Sequence, residues 1–434
     1  MSYRRNAAAG LPDGGGWRKH LACRAPLLHG PPCSALGWHD ESRAGTMIAA
    51  GVAAMLSGIG LGQAFAGYLA VLRFVRDVRP PALRDPPAIT VLKPLYGDEP
   101  LLERALASLC MQDYPAPWQV VFGIGQPRDS ALPVARRLQA RFPGRDLAVV
   151  VDPTAHGPNR KVGNLINLLP VAKHGVVVIA DSDVHVAPDW LRRLAAALAE
   201  PGVGLVTTIY TGLPASGIGA LGAMGINHYF LPGALLARVM GRQDCLGATM
   251  MLRRETLARI GGFAALVNHL ADDNVLGRLV QGLGLKVALA DTVPATTVAE
   301  TTLRSLWRHE LRWARTIRAL EPLQFAASAL QYPLAWAAFA VVLAGAAPWS
   351  LAWFGIAWAA RALAALGVDR ALGLGPDHSP GCGPDHNPGL AKRSPLWLLP
   401  VRELMSVGVM VASYAGRRVE WRGHTMQAEG FDPR

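Results

Sequence analysis

The chain has 434 residues, carries a formal net charge of +12 and is 51% hydrophobic, and its mean hydropathy of +0.22 is high for an enzyme that lives only in water. Its basic residues flank apolar segments, with no aromatic-basic motif for RNA or DNA beside them, so the charge points to anionic lipid and argues against nucleic acid. Five scattered cysteines (Cys23, Cys33, Cys110, Cys245 and Cys382) without a Cys-x-x-Cys pair argue against a disulfide framework and a zinc module.

Residues 1–46 are rich in Gly, Pro, Ala and Arg and show no periodic apolar face, which predicts a disordered extension. Met47 opens the next segment so cleanly that it is the alternative start of translation. Residues 47–72 contain no charged side chain and are long enough to cross a hydrocarbon core of about 30 Å. Arg73, Arg76 and Arg79 follow at once, and this basic excess places that end in the cytoplasm.

Between residues 86 and 322 short apolar runs alternate with helical stretches. Ile89 to Leu92 precedes Leu101 to Leu109, and Val120 to Ile124 precedes Leu132 to Ala140. Leu147 to Val151 then precedes Val162 to Val171, and Val176 to Ala180 precedes Trp190 to Leu198. Such alternation predicts βαβ units in a mostly parallel α/β sheet, with ligand chemistry at the strand carboxyl ends. The candidates there are Lys93, then Gln126 and Asp129, then Asp181 and Asp183. Gly123-Ile124-Gly125 lacks the rest of a dinucleotide fingerprint.

Asp181-Ser182-Asp183 closes the β-branched run 176–180. Two carboxylates at that place suit a divalent cation bridging the two phosphates of a nucleotide-sugar, and hard oxygen ligands suit Mg²⁺ or Mn²⁺. Taken alone, the triplet also reads as a solvated strand-to-helix turn. Asp272-Asp273-Asn274 opens an amphipathic stretch, where an acidic pair usually caps a helix. Residues 304–318 form a basic helix bearing Trp307 and Trp313, by itself a headgroup-level element.

Downstream, residues 324–360 are uncharged and too long for one span, so the region 324–368 reads as a helical hairpin turning at Gly345-Ala346-Ala347-Pro348. Residues 369–394 hold a duplicated Gly-Pro-Asp-His motif around His378 and His386, read as a surface loop. The segment 395–416 is interrupted by Arg402 and Glu403, which predicts an interfacial or re-entrant helix if it does not span. A basic tail, 417–434, follows.

In order, Leu92-Lys93-Pro94-Leu95, Asp113-Tyr114-Pro115, Lys161-Val162-Gly163-Asn164, Asp181-Ser182, Gly261-Gly262-Phe263, Ala271-Asp272-Asp273 and Arg312-Trp313 resemble glycosyltransferase family 2/21. The set is most similar to the ceramide glucosyltransferase class, including bacterial transferases of hopanoid biosynthesis. It covers about residues 89–320. The resemblance implies a GT-A (nucleotide-diphospho-sugar transferase) domain with flanking transmembrane helices in a bacterial inner membrane, its catalytic domain cytoplasmic. It implies a UDP-sugar donor, a lipid acceptor (hopanoid polyol or ceramide) and a Mg²⁺ or Mn²⁺ cofactor. Carried over by position, Asp181 and Asp183 hold metal and diphosphate, and Asp273 is the general base. Arg312 stabilises the leaving diphosphate, Trp313 walls the site, and Lys93, Gln126, Lys161 and Asn164 shape the donor pocket. Gln126 stands where the family has its first aspartate, and His309 or Arg308 stands where it has the first residue of its arginine-tryptophan motif. A processive polysaccharide synthase and a non-catalytic donor-binding protein are the competing readings.

Overall fold

The computed structural model describes residues 36–78, 83–374, 394–416, 418–421 and 424–427. The chain divides into two compact units, Met1–Gly45 and Thr46–Arg434. Of the first unit only residues 36–45 are described. They are helical.

Helix α1 runs from Leu36 to Arg76. The alternation beyond it folds as β1 (Ile89–Leu95), α2 (Leu102–Cys110), β2 (Trp118–Ile124), α3 (Ala131–Arg141), β3 (Asp146–Val151), α4 (Arg160–Leu168), β4 (Val176–Ala180), β5 (Val184–His185) and α5 (Trp190–Leu198). The second half adds β6 (Val203–Thr207), β7 (Thr211–Pro214), α6 (Gly217–Gly225), a π-helical turn (Ile226–Phe230), α7 (Leu231–Val239), β8 (Thr249–Arg253), α8 (Arg254–Arg259), α9 (Asp272–Gly282), β9 (Lys286–Leu289), β10 (Ala295–Val298) and α10 (Leu303–Leu320). It continues through α11 (Pro322–Ala327), α12 (Pro333–Leu343), α13 (Pro348–Ala371), α14 (Leu399–Ser413), β11 (Arg418–Trp421) and β12 (His424–Gln427).

The main sheet has the order β3-β2-β1-β4-β8-β6-β9. All its strands run the same way except β8, which is antiparallel to both β4 and β6. The side-chain period of two sorts each strand between two cores. Val176, Val178 and Ala180 join the cluster containing α2, α3 and α5, whereas Val177 and Ile179 join the cluster containing α4 and α9. Burial on both faces explains why these strands are uncharged runs. A small second sheet, β5-β10-β7, stands beside the crevice.

Among the described residues three helical stretches are long and apolar enough to cross a membrane: Arg43–Arg76 in α1, α13, and Leu396–Ser413. The chain turns at Gly345 and Ala346 between α12 and α13, and the helical limb before that turn is broken. Pro322–Gln331 and Pro333–Leu343 meet at 69°. Pro333 has no N–H to continue a helix, and the residue before a proline is driven out of helical geometry, as Tyr332 is at φ −109, ψ 67.

The charges of 402–403 do not interrupt α14. Arg402 pairs with Glu310 at 2.7 Å. Glu403, fully buried, accepts from the Leu334 and Ala335 amides and the Tyr229 hydroxyl, capping α12. In the expected tail, Arg418–Trp421 and His424–Gln427 pair as antiparallel strands. The His378 and His386 repeat lies outside the described residues.

Candidate active site

The order β2-β1-β4 makes the carboxyl ends of β1 and β4 the switch point of the parallel region, where open α/β sheets leave a crevice. Asp181, Ser182 and Asp183 emerge there from β4. The Asp181 amide donates to Ala248 O at 3.3 Å, so the antiparallel β8 pins this turn from one side. From the other side, the small sheet holds Asp183. Its carbonyl accepts from Thr297 N at 3.1 Å, and its carboxylate accepts from the Thr296 hydroxyl. Ser182 donates to Glu99 Oε2 at 2.7 Å, tying the turn to the loop after β1.

Lys93 departs from its expected place. It lies inside β1 and is fully buried, and its ammonium donates to the Asp181 carbonyl. It supports the aspartate turn from beneath instead of lining the crevice, because β1 runs three residues past Leu92. Burial pulls its ammonium down to about 8, against the pull of Asp183 and Asp181.

Lys161, on the first turn of α4, joins the two acidic groups that the sequence places ninety residues apart. Its Nζ lies 2.7 Å from Asp181 Oδ1 and 3.3 Å from Asp272 Oδ2. Burial alone would lower this ammonium, but Asp181 and Asp272 outweigh it and hold it above its ordinary range. Asn159 caps α4 through Val162 N and donates to His269 O at 2.8 Å, locking α4 to the start of α9. Asn164 donates to Gly123 O at 2.9 Å, and a Cβ on Gly123 would meet its Oδ1 at 2.2 Å. It acts as a strut for the end of β2. Gln126 is exposed in the loop that follows. Asp129 is turned aside, its Oδ1 accepting from Gly97 N and Ala131 N.

Asp273 opens α9 with Oδ2 accepting from Gly247 N at 3.0 Å and Oδ1 from Asn274 N at 2.8 Å. Glycine is required at 247, since a Cβ there would come within 2.7 Å of Asp273 Oδ2. Burial, then Asp272, pushes the Asp273 carboxyl up to about 6. Burial and Asp181 do the same to Asp183. Asp181 and Asp183, two carboxylates on one turn, fit a divalent metal in charge and in donor atoms, with the Lys161 ammonium 2.7 Å from Asp181 here. Among the described residues no three His, Cys, Asp or Glu side chains converge as a ready cage. The remaining ligands of such an ion would be phosphate oxygens and water.

Arg312 and Trp313 lie on α10, on the far side of the Glu300 loop. Burial would raise the Glu300 carboxyl, but its hydrogen bond with His309 Nδ1, together with His309 and Arg312, holds it below its ordinary range. His309 in turn stacks edge-on against Trp313 at 4.5 Å. Glu300 is four residues past Thr296, so one short segment carries both the support of Asp183 and the partner of α10.

Sequence reading passed over Tyr210, Glu99, Thr296 and Glu300. Burial, then the charges of Asp273, Asp181 and Asp183, pushes the Tyr210 hydroxyl above its ordinary range. No local pattern marks that tyrosine. The Asn159 cap, by contrast, was readable from its position before an amphipathic run.

A parallel sheet with an antiparallel strand inserted at β8, an acidic turn at the switch point and flanking apolar helices define a GT-A-like glycosyltransferase fold. The chain belongs to glycosyl transferase family 21, whose model matches residues 52–430. It is similar to ceramide glucosyltransferase 1 of Caenorhabditis elegans, 24% identical over 59% of this chain and 54% of that one. It is also similar to an N-acetylglucosaminyltransferase of Rhizobium meliloti (strain 1021), 25% identical over 55% and 57%. The chain thus spans about half the length of the curated relatives it matches. Among solved structures, a mannosyltransferase of Pyrobaculum calidifontis in complex with GDP-Man and Mn²⁺ is 22% identical over 84% of this chain and 99% of that one, with a TM-score of 0.48.

Proposed function

We propose that the protein is a membrane-bound inverting glycosyltransferase that moves one sugar, N-acetylglucosamine or glucose, from a UDP-sugar to a lipid hydroxyl. The observation that carries this reading is Asp273, a half-buried carboxylate pinned by two backbone amides, with Lys161 joining its buried neighbour Asp272 to the Asp181 turn. In this reading Asp273 takes the proton of the acceptor hydroxyl. The acceptor oxygen then bonds to the anomeric carbon as the bond to the diphosphate breaks on the opposite face, giving inversion, and UDP leaves with the electron pair. Asp181 and Asp183 would hold Mg²⁺ or Mn²⁺, which when bound neutralises charge on the diphosphate. Arg312 stabilises the departing diphosphate by charge-assisted hydrogen bonds, and Trp313 walls the site toward the lipid. Lys161, Asn164 and Gln126 shape the donor pocket, with Lys93 behind them.

The three candidate spans and the basic residues at the end of α1 support a catalytic domain on the cytoplasmic side of a bacterial plasma membrane. A hopanoid polyol receiving N-acetylglucosamine is the first choice of acceptor and sugar. The similarity to a ceramide glucosyltransferase favours ceramide with glucose as the second.

The test is a transfer assay on detergent-solubilised protein, offering UDP-glucose or UDP-N-acetylglucosamine with a hopanoid polyol or ceramide, with and without Mn²⁺. The expected product, read by mass spectrometry, is one added sugar in a metal-dependent reaction. Products bearing many sugars would favour the processive reading. No product from protein that still binds UDP would overturn the proposal.

A further inference from the structure

The two aspartates of the β4 turn are held by different chemistry. Asp181 has a cation beside it, Lys161 Nζ at 2.7 Å from Oδ1. The Asp183 carboxylate instead takes a neutral donor, the Thr296 hydroxyl, on Oδ2. An ammonium in that place would compete with a metal ion for the same charge. A hydroxyl fixes one carboxylate oxygen and leaves the charge to the metal, which is how hydrogen-bonded partners behind a ligating carboxylate act.

Thr296 is fixed by the backbone around it. It lies on β10, the middle strand of the small sheet, in register with Val184 of antiparallel β5 and with Gly212 of parallel β7. The next residue, Thr297, donates its amide to the Asp183 carbonyl at 3.1 Å, so the strand and the aspartate turn are joined by main chain as well as by side chain. Val298 O accepts from Ala215 N at 3.1 Å, and α6 packs so close that a Cβ on Gly222 would meet Val298 Cγ1 at 2.8 Å. Beyond the strand, the Glu300 carbonyl accepts from the Ser216 hydroxyl and its carboxylate pairs with His309. A β-branched side chain on a strand held along its length has few rotamers open to it, so its hydroxyl meets Asp183 in a preset place.

We propose that Thr296 is a positioning residue, which orients the Asp183 carboxylate for the divalent cation without touching that ion. The inference rests on the metal placement in the transferase reading and adds the group that sets the ligand. Thr296→Val keeps the branched shape and the backbone bonds of β10 and removes only the hydroxyl. Mn²⁺ is titrated into UDP-saturated, detergent-solubilised protein, and free Mn²⁺ is read by electron paramagnetic resonance. The Kd for Mn²⁺ should rise about tenfold in Thr296→Val, the usual loss when the partner of a metal ligand is removed. Thr296→Ser, which keeps the hydroxyl, should restore the wild-type value. Thr297→Val serves as the structural control. The Thr297 hydroxyl pairs with buried His185 Nε2 at 2.8 Å and reaches only the carbonyl of Asp183, at 3.4 Å, so its loss should lower Tm and leave the Mn²⁺ Kd in place.

An unchanged Kd in Thr296→Val overturns the inference, as does an equal loss in Thr296→Ser or in Thr297→Val. Wild-type protein that binds no Mn²⁺ in the presence of UDP overturns it as well. The transfer assay separates this result from the reading beneath it. Sugar transfer by wild-type protein whose Mn²⁺ affinity ignores Thr296→Val removes the positioning role and keeps the transferase. Mn²⁺ affinity that depends on the Thr296 hydroxyl, with no sugar transferred to any lipid, keeps the positioning role and removes the transferase reading.

Discussion

Asp181 and Asp183 hang from the end of a strand that is hydrogen-bonded on both sides, whereas Asp273, Arg312 and Trp313 ride on helices positioned mainly by side chains. The aspartate turn is braced by backbone partners from β8 and β10 and by Lys93 beneath it. Helix α9 is held by Asn159, Lys161 and Gly247. Helix α10 is held by Arg402 on Glu310 and by Arg315 and Arg318 reaching the carbonyls of Arg418 and Gly416. A ladder in the middle of a sheet tolerates changes in any one side chain, but a helix fastened by ion pairs moves when one is cut. In the proposed reading the donor end of the site is thus a fixed frame, and the acceptor end is tied to the apolar helices.

That contrast is broken most severely at the base. Asp273→Asn should lower kcat by about 10²–10⁴-fold, the usual contribution of a general base, while calorimetry shows UDP binding unchanged. Retained turnover would remove Asp273 from that role. Next comes the anchor of the acceptor half. Glu403→Leu leaves the first amides of α12 and the Tyr229 hydroxyl without their buried acceptor, and should cost about 3 kcal/mol in unfolding measured in detergent.

The pH profile sharpens the same point without a mutation. Asp273 works as the carboxylate and its proton is held up to about 6, so kcat/KM should fall about tenfold per unit as pH drops below about 6. A profile flat down to pH 4.5 would contradict the assignment. Arg402→Met cuts the tie between α14 and α10 and should lower kcat about tenfold with UDP affinity unchanged, the size of one displaced transition-state contact. Exchanging the charges, Arg402→Glu with Glu310→Arg, should restore part of it. The smallest effect is expected at the exposed Gln126. Gln126→Asp should change UDP affinity by less than about tenfold, as for one solvent-accessible hydrogen bond.

Much of the donor half was legible in the sequence, because a strand buried on both faces must be an uncharged β-branched run, and the residue after such a run must lie at the crevice. Val176 to Ala180 followed by Asp181 is that case. Lys93 shows the limit of the rule. A buried lysine breaks an apolar run in the sequence while continuing the strand in space, since its amine finds the Asp181 carbonyl. Arg402 and Glu403 misled in the same way. As isolated charges they interrupt α14, and as partners of Glu310, Tyr229 and the start of α12 they bind it in place.

The sequence by itself determined the βαβ alternation, the apolar helices, the acidic motif at the end of β4 and the family resemblance, because each rests on period, length or order along the chain. Only the tertiary structure decided that β8 runs backward through the sheet, that Lys161 joins Asp181 to Asp272, and that Glu403 caps the start of α12. Those contacts join residues tens to hundreds of positions apart. Their free energy comes from burial and pairing in space, which no local pattern encodes.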